Sequence, residues 1–115
     1  MKIGINRNTA SVEFRDQTYE IKIIPIFAEY LIAEHDKLDK EFSKKENPTE
    51  EESYAHVYES IDYLLKIVEV ILLANDYTFD DKWWRENADS STLVEFIANC
   101  KLKDFTPKKK AVVEK

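Results

Sequence analysis

The stretch Tyr54-Ala55-His56-Val57-Tyr58-Glu59-Ser60-Ile61-Asp62-Tyr63-Leu64-Leu65-Lys66-Ile67-Val68-Glu69-Val70-Ile71-Leu72 carries the strongest periodic signal in this chain. Tyr54, Val57, Tyr58, Ile61, Leu64, Leu65, Val68, Ile71 and Leu72 recur at the spacing that puts them on one side of an α-helix. Its start is marked by Thr49 with Glu52 three residues on, a capping-box pair directly after Pro48. Its end is marked by Asn75 and Asp76, residue types that tolerate the left-handed backbone where glycine would ordinarily close a helix. The result is a spine of about seven turns, on which the remaining elements must pack. Leu65, in the middle of the stripe, is expected in the core.

Upstream of the spine, Pro25 ends an extended segment and suits the first turn of a second helix, where its missing N–H costs nothing. Phe27, Tyr30, Leu31, Leu38 and Phe42 then mark the apolar stripe of a helix running to about Phe42, and Ser43 to Pro48 is a polar connector. Between Ser11 and Ile24 the period changes to two. Val12 and Phe14 precede the polar interruption Arg15-Asp16-Gln17-Thr18, and Tyr19, Ile21 and Ile23 follow it, with Glu13, Glu20 and Lys22 on the wet face. This predicts an antiparallel hairpin that must lie on helices, because two strands alone are marginal in water. Lys2 to Ile5 is a candidate third strand.

Downstream, Thr78 is positioned to cap a short helix through Asn87, and Asp89 to Ser91 to cap a last one carrying Leu93, Phe96, Ile97 and Cys100. After Leu102 the apolar rhythm stops. The expected architecture is therefore α+β and predominantly helical: an N-terminal antiparallel β-hairpin packed on about four α-helices, one domain over residues 1–105, with 106–115 as a lysine-rich solvated tail.

Composition narrows the function classes. The chain has 115 residues, enough for one modest core, and a single glycine, so no glycine-rich phosphate loop is available. A net charge of −6 opposes phosphate backbones and argues against general nucleic-acid binding. No apolar run is long enough to span a bilayer and no leader-like segment follows Met1, so a soluble, cytoplasmic protein is expected. The lone cysteine, Cys100, sits at helical spacing behind Phe96 and Ile97 and reads as a buried small hydrophobe.

Metal and catalytic chemistry find little support. A di-metal bundle needs Glu three residues before His on two helices, but Ile32 and Ser53 occupy those positions ahead of His35 and His56. Both histidines therefore read as surface helix residues, and neither a cofactor nor a catalytic residue is expected. The least generic stretch is Asn75 to Asn87, which holds both tryptophans beside acids. Consecutive helix positions lie about 100° apart, so one ring is expected in the core, with Trp84 the more buried, and Trp83 at the rim. Tyr77, Phe79, Asp80, Asp81, Trp83, Trp84 and Glu86 are accordingly the candidate partner-binding residues.

The order of several segments also matters: Met1-Lys2-Ile3, Tyr19-Glu20-Ile21-Lys22-Ile23, Leu72-Leu73-Ala74-Asn75-Asp76-Tyr77, Phe79-Asp80-Asp81 before Trp83-Trp84, Glu86-Asn87-Ala88-Asp89 and Leu93-Val94-Glu95-Phe96-Ile97. Taken together they resemble the small tail assembly chaperones of long-tailed bacteriophages and prophages of Gram-positive hosts. The resemblance implies a non-enzymatic protein of the host cytoplasm that holds the apolar tape-measure protein in solution until the tail tube polymerises, with the tail-tube protein as a second candidate partner and self-association left open. It also implies a longer frameshifted form, with which the run Lys108-Lys109-Lys110 is compatible. The alternative, from a different class, is an acidic adaptor or inhibitor that blocks a basic site on its partner.

Overall fold

The computed structural model describes residues 9–100. They form β1 (Ala10–Phe14), β2 (Gln17–Ile21), α1 (Ile26–Ser43), α2 (Glu50–Ala74), α3 (Asp81–Asn87) and a fourth helix, α4, over residues 90–100. The fold is α+β and predominantly helical, with the hairpin at its N-terminal side. The candidate strand over Lys2 to Ile5 and the lysine-rich tail over 106–115 lie outside the described residues.

The hairpin pairs Ala10 with Ile21, Val12 with Tyr19 and Phe14 with Gln17. The connection is tighter than the four polar residues suggest. Only Arg15 and Asp16 form the turn, at φ 52° and 67°, the two positive values of a type I′ turn, whose twist matches that of the strands. Ala10, Val12, Tyr19 and Ile21 face the core, while Ser11, Glu13, Thr18 and Glu20 face water. Ile23, expected to extend β2, lies beyond it and is exposed. Among the described residues, the free edge of β2 is met by side chains. Glu20 N–H donates to Tyr77 Oη at 2.9 Å, and Asn75 Oδ1 accepts from Lys22 N–H at 2.6 Å and Ile23 N–H at 3.1 Å. Asn75 Nδ2 in turn donates to the carbonyls of Ile23 and Ile71, so one amide clips the strand exit to the end of α2.

The spine begins and ends as its sequence signals indicate. Thr49 Oγ1 accepts from Glu52 N–H at 3.0 Å, and Glu52 Oε1 accepts from Thr49 N–H at 2.9 Å. That backbone N–H, aided by Lys45, holds the Glu52 carboxyl below its ordinary range. At the other end Asp76 takes φ 69°, Tyr77 N–H donates to Leu72 O and Asp76 N–H to Leu73 O, the paired bonds of a Schellman closure. Short helix α3 starts at Asp80, two residues later than the Thr78 cap expected, because the Asp80 carboxylate is the group that reaches Trp83 N–H. In α4, Asp89 Oδ1 accepts from Thr92 N–H at 2.9 Å, which lowers the Asp89 pKa.

Helices α1 and α2 run antiparallel, as the pairings His35 with Ser60, Asp39 with His56 and Lys45 with Glu52 require. The inward face of α1 is Ala28, Leu31 and His35, continued by half-buried Leu38 and Phe42. Phe27 and Tyr30, expected on that stripe, instead stack on each other in solvent. Ala28 and Leu31 take the inward positions instead, and His35 is accepted inside because its ring is bonded to Ser60 at 2.7 Å. His35 is thus buried, not a surface residue. The main core gathers Leu64, Leu65, Ile67, Val68, Ile71 and Leu72 of α2 with the hairpin, Trp84, and Leu93, Phe96, Ile97 and Cys100 of α4. Leu65 is buried as expected.

Candidate functional site

The acidic, aromatic segment is built around Trp84. Its ring is 2% exposed and lies between Phe14, parallel at 4.6 Å, and Phe79 at 6.0 Å, with Phe96 edge-on at 5.5 Å. Trp83 leans outward, half-buried, and meets Phe14 edge-on. The division of the two rings follows from the helical offset. Of the candidate residues, Trp84 is the one that is almost wholly buried. Tyr77 is half-buried, edge-on to Tyr19 at 5.0 Å, and tied through its hydroxyl to the β2 edge. Burial, then Tyr77, raise the Tyr19 pKa. Phe79 is half-buried, Asp80 caps α3, and Asp81 is joined to Arg85 at 2.7 Å. Only Glu86 and the outer edge of Trp83 remain facing solvent without such a role among the contacts described. The segment closes the core first and offers surface second.

A second cluster lies in the cleft between α1 and the N-terminal half of α2. His56 Nε2 lies 3.0 Å from Asp39 Oδ1. Its ring stacks on Phe42 at 4.2 Å with the planes 4° apart. His35 binds Ser60, but its other ring nitrogen is 3.8 Å from Asp36 and 4.0 Å from Asp39, beyond hydrogen-bond distance. Ser60, His35 and Asp39 therefore do not make a nucleophilic triad: the third link is open, and mid-helix Ser60 is flanked by backbone N–H groups already spent within α2. The network fastens two helices together. Among the described residues, no group of three or more His, Cys, Asp or Glu is placed to hold a metal ion.

The third feature is one the candidate residues only partly include. Tyr54, Val57 and Tyr58, placed by their spacing on the core stripe of α2, are open to solvent, Tyr58 at 66% exposure. The stripe descends through half-buried Ile61 to Leu65 and there becomes one wall of a groove of about 210 Å³, with Trp84, Ala88 and Leu93 on the other side. Arg85 bridges the groove's acidic rim, bonding Asp62 of α2 at 3.0 Å and Asp81 of its own helix at 2.7 Å. These two carboxylates raise the guanidinium pKa. A separate apolar set, Ile26, Phe27 and Tyr30, lies open on α1, Ile26 at 85% exposure.

A sequence signal for this exposure existed. The open half of α2 uses tyrosines, which keep a polar tip for water, whereas the covered half uses Leu, Ile and Val. No helix among the described residues is long and apolar enough to cross a membrane. Comparison of the chain with protein-family models, with curated proteins and with solved structures gives no match.

Proposed function

We propose that this chain is an assembly chaperone that binds an apolar helical client protein and keeps it dispersed, in the manner that its resemblance to phage tail assembly chaperones implies, with a tape-measure protein as client. One observation carries the reading: large apolar side chains stand open on α1 and α2, at Ile26, Phe27, Tyr30, Tyr54, Val57 and Tyr58, on a chain with net charge −6. Such area is what a holding protein uses, and the acidic surface around it keeps a loaded complex from associating further. No chemistry at His35, His56 or Cys100 is required for it.

The test is light scattering of an apolar, helix-forming tape-measure segment diluted from denaturant with and without the full chain. Suppression at near-stoichiometric ratio, retained at high salt, is the expected result. Suppression that disappears with added salt would instead favour the acidic adaptor, whose contacts are screened. No suppression at any ratio would overturn the chaperone reading.

A further inference from the structure

We infer that the open stripe of α2 and the groove it enters form one docking channel for an amphipathic helix whose apolar face is flanked by lysine or arginine. The inference rests on the holding function proposed above and names the surface and the chemistry of what it holds. From Tyr54 to Leu65 the stripe is about 17 Å long, which fits about three turns of a partner helix presenting anchors at i, i+3 or i+4, and i+7. The channel has a floor as well as a wall. Ile61, Leu65 and Leu93 line its deeper end beside the indole of Trp84, and Tyr54, Val57 and Tyr58 continue it into open solvent.

Charge selects the occupant. Glu50 and Glu51 flank the open end, Asp62 lies one turn from Tyr58, and Asp89 lines the α4 side. Arg85, the one cation lining the groove among the described residues, is already held by Asp62 and Asp81. A second copy of this chain docking through the same stripe would set Glu50, Glu51 and Asp62 of each copy near their counterparts, and like charges repel. A helix with basic flanks meets the same rim favourably. The exposed set Ile26, Phe27 and Tyr30 lies on a different helix, with Glu29 and Glu34 beside it, and is the control surface.

The experiment uses the full chain and labelled synthetic helical peptides with one leucine stripe, flanked in one by lysine and in the other by glutamate, read by fluorescence anisotropy. The lysine peptide is expected to bind, and the glutamate peptide about tenfold or more weaker. Val57→Asp and Tyr58→Asp should each weaken binding by about tenfold, while Phe27→Asp and Tyr30→Asp leave it unchanged, with all four variants melting as the parent does. Equal binding of the two peptides, or loss confined to the α1 variants, would overturn the inference while leaving the chaperone reading in place. Self-association on sedimentation that Val57→Asp abolishes would overturn it in favour of a second copy. If the lysine peptide binds in the groove but the chain fails to suppress client aggregation, the inference stands and the proposed function falls.

Discussion

The two halves of α2 have the same helical period and opposite fates. From Leu64 to Leu72 its apolar stripe is covered by the hairpin, Trp84 and α4, and Val68, Ile71 and Leu72 are wholly buried. From Tyr54 to Tyr58 the stripe continues in phase, but among the described elements α1 packs on this half and it covers the neighbouring face through His56 and Ser60. Periodicity therefore reports that a helix is amphipathic. It does not report whether anything arrives to cover the apolar side, since that depends on elements distant in sequence. The uncovered half is the surface on which the proposed docking channel is built.

The sharpest way to break this comparison starts at the covered end. Trp84→Ala is expected to cost about 3 to 5 kcal/mol, because it empties the space between Phe14, Phe79 and Phe96, whereas Trp83→Ala should cost clearly less. Denaturant unfolding of the two variants decides it, and equal losses would mean that the rings are structurally equivalent. Along α2 itself, Leu65→Ala should cost about 2 to 5 kcal/mol and Val57→Ala no more than about 0.5 kcal/mol. Similar values at the two positions would show that the N-terminal half is covered in solution.

A smaller effect is expected where the covered half is tied to the hairpin. Asn75→Ala removes an amide that bonds Lys22, Ile23 and Ile71, and should lower stability by about 1 to 3 kcal/mol, with faster hydrogen exchange at the N–H groups of Lys22 and Ile23. A smaller one again belongs to the cap of the open end. Thr49→Ala should cost about 1 kcal/mol through loss of the cap. The pH dependence has a definite sign: Glu52 and Asp89 both have lowered folded pKa values, so their contributions are fully present above the unfolded carboxyl range, about 3.9 to 4.3, and are lost as pH falls through the folded values. Melting temperature measured against pH should fall less steeply at the acid end for Glu52→Gln than for the parent.

Much of the fold was legible because its punctuation is local. The Thr49 and Glu52 cap, the Asn75 and Asp76 stop, the Asp89 cap and the Val12, Tyr19 and Ile21 alternation each depend on neighbours within a turn or a strand pair. The candidate site was less legible. Trp84 is placed inward by helical offsets alone, and the Asp80 cap and the Asp81–Arg85 pair are local to α3, but the edge closure by Tyr77 depends on Glu20, 57 residues away, being brought to it by the fold.

By itself, then, the sequence determined the spine, its caps, the hairpin and the helix-rich α+β class, because hydrophobic period and capping chemistry act over a few residues. Tertiary structure decided which stretches of each apolar stripe are covered. His35 went in because Ser60 stands opposite it, Phe27 and Tyr30 went out while Ala28 and Leu31 took the inward face, and Tyr54, Val57 and Tyr58 stayed open because no described element extends over that half of α2. Burial is a property of what packs against a face, and that is settled by contacts between residues far apart in the chain.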